Sequence, residues 1–119
     1  KITINSPTTD SFTTDTGLDV TYTATSSTLD KCWYSTDSGA TNTTLTDCAN
    51  ITSTTWEEGE HTVTIYANDT LGTSTSTVTF TIDTITPTIS ISTLANNTYS
   101  TDTGLDVEYA TVDTNLASC

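Results

Sequence analysis

The sequence has 119 residues, with 15 acidic side chains set against two lysines, and a formal net charge of −13. That balance repels nucleic-acid phosphates and anionic bilayers, and no apolar run is long enough to span a bilayer, so neither nucleic acid nor direct membrane insertion is expected. Threonine and serine number 35 and 13, methionine is absent, and apolar residues make up 33%, which predicts strands and not helices.

The predicted elements follow in chain order. Ile2–Asn5 is a first strand, ended by Ser6 and Pro7. Leu18–Ala24 is a second: Leu18, Val20, Tyr22 and Ala24 share one face, and Asp19, Thr21 and Thr23 the other. Lys31–Thr36 is a third and carries Trp33, at the place where sandwiches of this kind often bury a tryptophan. After the turn-formers Asp37, Ser38 and Gly39 come short strands over Thr43–Thr46 and Ile51–Trp56. His61–Asn68 sets Val63, Ile65 and Ala67 against Thr62, Thr64 and Tyr66, and Ser74–Asp83 sets Val78, Phe80 and Ile82 against Thr77, Thr79 and Thr81. The two are joined by a tight turn over 68–72. A period of two with one apolar face marks a half-buried antiparallel strand. About seven such strands predict an all-β fold, an immunoglobulin-like β-sandwich. Residues 83–88, DTITPT, read as a linker in which Pro87 blocks ladder pairing.

The segment TDTGLDV occurs at 14–20 and again at 101–107, an offset of 87. The same offset relates Ile2 and Ile4 to Ile89 and Ile91, Phe12 to Tyr99, Tyr22 to Tyr109, Leu29 to Leu116, and Cys32 to Cys119. Residues 1–87 therefore read as one complete domain. Residues 88–119 read as the first third of a second of the same type, its first two strands and the start of its third. The native protein is expected to be longer, a tandem array. The competing reading is a small complete protein whose tail pairs with another subunit.

The stretches CWYSTDSGATNTTLTDC and WEEGEHTVTIYANDTLGTSTSTVTFTIDTITPTI resemble the Ig-like repeats of bacterial and archaeal surface proteins. In those repeats a G-x-H-T-V-T segment, an A-x-D-x-x-G turn and a closing T-V-T-F-x-I-D-T-x-x-P recur. The likeness is strongest over 59–87; a double proline is common at the linker, where only Pro87 stands here. The resemblance implies a cell-surface stalk, adhesin or fibre of stacked domains.

Cys32 and Cys48 flank a 15-residue insert. A pair like this in a thin-cored, extracellular-looking domain forms a disulfide. A zinc site would need more ligands than one histidine and no second cysteine pair can supply. Cys119 is expected to await the next repeat's copy of Cys48. Sequons place N-glycans at Asn42, Asn50, Asn68 and Asn96. The outward threonine rows, Thr62 and Thr64 with Thr75, Thr77, Thr79 and Thr81, are O-glycan candidates, as are Thr8 and Thr9. Their plain reading is good strand-surface residues. Asp15, Glu57, Glu58, Glu60 and Asp83 are expected near the domain joint, with Asp113 reaching from the next repeat, a weak calcium candidate set; the plain reading is a solvated acidic surface. His61 reads as a surface strand residue, and no nucleophile has a base at recognisable spacing, so no catalysis and no cofactor is expected.

The leading expectation is thus a structural repeat of an extracellular array, partnered by copies of itself and coated in glycan. One alternative is an adhesin domain that binds carbohydrate or protein through its end loops, with Trp56 and Tyr99 as aromatic anchors. The other is a filament subunit completed by a neighbouring chain's strands.

Overall fold

The computed structural model describes residues 1–93, 95–116 and 118. It consists of two compact units, Lys1–Thr84 and Ile85–Cys119.

The first unit carries seven strands: β1 (Ile2–Ser6), β2 (Ser11–Thr13), β3 (Thr21–Ala24), β4 (Leu29–Ser35), β5 (Thr43–Leu45), β6 (Gly59–Asp69) and β7 (Gly72–Ile82). β1 and β3 pair antiparallel, and the other five form one sheet in the order β2-β7-β6-β4-β5. The two sheets close on a core of Val20, Tyr22, Cys32, Ile51, Trp56, Val63, Ile65, Ala67, Val78, Phe80 and Ile82. The first unit is the immunoglobulin-like sandwich that the alternation predicts.

The β6–β7 hairpin is its spine, in unbroken register from Gly59↔Ile82 to Asp69↔Gly72. Threonine on one face and Val, Ile, Ala or Phe on the other suit a sheet with one dry side. The Asp69 carboxylate closes the turn by accepting from the backbone N–H of Leu71 (2.7 Å) and Gly72 (3.2 Å). The Ser26 hydroxyl donates to the same carboxylate at 2.7 Å and is the main reason its pKa lies below the ordinary aspartate value. Asn68, the last residue of the expected strand and the first of the expected turn, lies within β6, which runs on to Asp69. Its side-chain oxygen accepts from Lys31 N–H at 3.0 Å, where the β4 register slips between Leu29 and Lys31.

Three further expectations are corrected. First, 51–56 forms no strand; a single bridge joins Val20 to Ile51. Its apolar residues stand only at the two ends, so 52–55 has no face to bury. The Asn50 side chain takes the place of a strand neighbour, accepting from Tyr22 N–H at 3.0 Å. Second, β2 was not expected. It pairs parallel with β7 because the chain crosses from one sheet to the other after Ser6. Third, the buried tryptophan is Trp56, 4% exposed, and not Trp33. Cys32 points into the core, so strand alternation turns its neighbour outward; Trp33 stacks on Tyr66 across the outer face at 5.4 Å.

In the second unit β8 (Thr88–Ile91) pairs antiparallel with β9 (Tyr109–Val112). Its turn repeats the first unit's: Gly104 N–H donates to Asp102 at 2.9 Å as Gly17 N–H donates to Asp15 at 2.9 Å. The apolar face is bare. Val107 and Tyr109 are 54% and 55% exposed, whereas Val20 and Tyr22, at the same places in the repeat, are 0% and 7% exposed.

Candidate functional site

Cys32 and Cys48 form a disulfide with a Cα–Cα distance of 5.0 Å. It ties β4, through its buried Cys32, to the short 3-10 turn Thr46–Cys48. Asp47 and Cys48 there both hold positive φ, 52° and 54°, a backbone shape that side chains disfavour and that the cross-link keeps in place. On the chain-entropy model a loop of this size stabilises by about 3 kcal/mol. Cys119, the third cysteine, lies outside the described residues.

Between β4 and β5 the chain is organised around Ser35 and Asp37. Ser35, 2% exposed, donates its hydroxyl to Asp37 at 2.7 Å and accepts from Gly39 N–H at 2.8 Å. The same Asp37 oxygen accepts from Thr41 N–H at 2.8 Å. Gly39 has φ +91°, a backbone shape that favours glycine, and a Cβ there would stand a tight 3.3 Å from the Tyr66 hydroxyl. The Thr41 backbone and the Ser35 hydroxyl together hold the Asp37 carboxyl down to about 2. This folded-state depression stabilises the loop fully above the unfolded aspartate value, near about 4, and the contribution disappears as pH falls from there through about 2. Asp37→Asn is therefore expected to remove the acid step. In NMR pH titrations the Gly39 and Thr41 amides should shift with a midpoint at about pH 2 in the native chain and stay flat in the variant; equal shifts in both would refute the assignment.

The threonine rows lie together on the outer face of the five-stranded sheet. Thr62 pairs with Thr79 (3.2 Å) and Thr64 with Thr77 (3.0 Å), hydroxyl to hydroxyl; Thr75 and Thr81 extend the row along β7. Thr64, Thr79 and Thr81 are half-buried; Thr62, Thr75 and Thr77 are exposed. Thr8 and Thr9 are exposed on the connection from β1 to β2. Among the sequon residues Asn42 is exposed between β4 and β5, and Asn96 is exposed in the second unit. Asn50 and Asn68 engage their side-chain oxygens with backbone N–H groups, which leaves the nitrogen, the atom an N-glycan would take.

At one end of the first unit three segments converge. Trp56 N–H donates to Thr16 O at 2.8 Å, and Asp83 N–H to Thr13 O at 2.9 Å. One Glu58 oxygen accepts from both the N–H (2.9 Å) and the hydroxyl (2.6 Å) of Thr84. Here the acids serve the backbone: Asp15 caps Gly17, and Glu58 grips the chain where the unit ends. Asp113, in the second unit, accepts from Asn115 N–H. Among the described residues no three His, Cys, Asp or Glu side chains gather into a group able to hold a metal ion. Glu57 and Glu60 are exposed, and Asp83 is half-buried.

His61 is half-buried and not a plain surface residue. Its ring lies 5.2 Å from Trp56 and 5.6 Å from Phe80, and its Nε2 is 2.8 Å from Glu57 O. Trp56 is thereby removed as an exposed aromatic anchor, while Tyr99 stands fully in solvent. No helix among the described residues is long and apolar enough to cross a membrane.

No protein-family model and no curated protein sequence matches the chain. Among solved structures, the fibronectin(III)-like modules of CbhA from Clostridium thermocellum match with a TM-score of 0.59 and 18% identity over 97% of this chain. The match takes in 64% of that chain, so this one spans under two thirds of its length. At that identity the likeness is one of fold: an immunoglobulin- or fibronectin-type β-sandwich.

Proposed function

We propose that the chain is a structural, non-catalytic piece of an extracellular tandem array, a surface stalk or filament, in which residues 1–87 are one complete domain and 88–119 begin the next. The observation that carries this reading is the bare β8–β9 face. It repeats the residues that the first unit buries, yet among the described residues of its own unit no second sheet covers them. A stacked repeat gains its value from length, and the remaining features fit that role. An internal disulfide suits an oxidising compartment. A net charge of −13 keeps neighbouring arrays apart in solution. Exposed Asn42 and Asn96 and the threonine rows offer attachment points for glycan, and a sugar coat would shield the edges of β2 and β5 from pairing with other chains.

The test is the intact mass of native material before and after deglycosylation, with peptide mapping. Masses in multiples of the 87-residue period, with sugar increments on the named Asn and Thr residues, are expected. Native material at the bare 12.6 kDa, unchanged by deglycosylation, would overturn both the array and the sugar.

A further inference from the structure

Because 52–55 forms no strand, the flank of the first unit stays open beside β5. A cleft of about 340 Å³ lies there, with Thr43 and its neighbours on one wall and Thr54, Thr55 and Glu57 on the other. A second hollow of about 240 Å³ continues it, and Tyr34, Thr43 and Thr54 line both. The larger volume falls within the range of ligand clefts, roughly 300–1,000 Å³.

Both walls are held before any ligand arrives. One is the loop pinned by Ser35 and Asp37, whose bonds run to Gly39 and Thr41. The other hangs from Trp56, whose indole N–H donates to Leu18 O at 2.8 Å and whose backbone N–H donates to Thr16 O. A preorganised cleft loses little freedom on binding.

Its chemistry is specific in kind. The side-chain hydroxyls of Tyr34, Thr43, Thr54 and Thr55 make no hydrogen bond among the described residues, and each can donate and accept. The Glu57 carboxylate adds an acceptor. No lysine or arginine lines either hollow; the one basic side chain, His61 in the larger, has its Nε2 2.8 Å from Glu57 O, so a phosphate or carboxylate ligand would find little to offset a strongly negative chain. The half-buried Tyr34 ring, at the junction of the two hollows, supplies an apolar surface among the hydroxyls. A neutral ligand dense in hydroxyls, with one apolar C–H face, matches this set.

We propose that the flank cleft binds a neutral oligosaccharide, one sugar ring against Tyr34 and its hydroxyls shared among Thr43, Thr54, Thr55 and Glu57. This site does not depend on the array reading and stands or falls by its own test. The ¹⁵N-labelled 119-residue chain is titrated with maltohexaose, cellohexaose, mannohexaose and chitohexaose, and in a separate arm with a Ser/Thr-rich extended peptide. At least one sugar should shift the amides of Thr43, Thr54 and Glu57 and saturate with a Kd of about 0.1–5 mM. Tyr34→Ala should weaken it about tenfold or more and Thr54→Val about threefold, while Trp33→Ala, on the opposite face of the sheet, leaves it unchanged. If Tyr34→Ala unfolds the unit, Thr54→Val decides. Silence with all four sugars, shifts confined to other residues, binding indifferent to Thr54→Val, or a response to the peptide alone would each overturn the proposal.

Discussion

Trp56→Ala is expected to destabilise the first unit by about 3–5 kcal/mol, the usual cost of truncating a buried tryptophan. The ring is 4% exposed and meets Phe80 edge-on at 5.1 Å and 87°. Its removal leaves a hole at the end of the core and strands the Leu18 carbonyl, which accepts the indole N–H; an orphaned buried acceptor adds about 1–3 kcal/mol where water cannot reach it. Single domains have about 5–15 kcal/mol in all, so the variant sits near its unfolding threshold. The same truncation at Trp33 is expected to cost about 1 kcal/mol, because that ring loses only its stacking on Tyr66. Urea unfolding followed by fluorescence measures both, since each variant keeps one tryptophan as reporter. A larger loss at position 33 than at 56 would invert the assignment of the core.

The contrast between the two tryptophans shows where the sequence is legible. Alternation is a local signal, and β6 and β7 are long enough for it to identify strand, face and partner. Phase is harder to read. The choice between Cys32 and Trp33 as the inward residue depends on the partner strand, and both fit a core by type. Sequence analogy favoured tryptophan; the cross-strand pairing of Cys32 with Ala67 favours cysteine. The 52–55 segment fails for another reason. Thr, Ser, Thr and Thr have the right strand propensity, but propensity without a face to bury yields no ladder. The bonds that replace the ladder, from Asn50 to Tyr22 and from Trp56 to Thr16, link residues 28 and 40 positions apart, and no local pattern announces them. The flank cleft is a by-product of this missing strand, so no motif in the sequence could have pointed to it. The disulfide is the opposite case, because two cysteines in one repeat leave a single intradomain pairing.

Joining a copy of residues 33–87 after Cys119 is expected to bury the β8–β9 face, since Cys119 holds the place of Cys32 in the repeat. Val107 and Tyr109 would pass from about half exposed to the closed state of Val20 and Tyr22. Full burial of such side chains is worth about 1.5–3 kcal/mol each, and Ile89, Ile91 and Leu105 add to it. Amide hydrogen exchange reads the change directly. In the 119-residue chain the amides of β8 and β9 should exchange quickly, because an isolated two-stranded sheet is marginal in water. In the extended chain they should slow by about a thousandfold or more, as opening then requires separating two packed sheets. The Lys1–Thr84 unit serves as an internal standard, with β6 and β7 equally slow in both chains. A second molecule is a poor substitute for the joined copy: its five-stranded sheet is already covered by its own β1 and β3, so exchange between molecules gains no buried surface. Protection of β8–β9 in the unextended chain that grows with protein concentration would therefore count against in-line repetition and favour a subunit completed by its neighbour. Unchanged fast exchange in the extended chain would defeat the half-domain assignment itself.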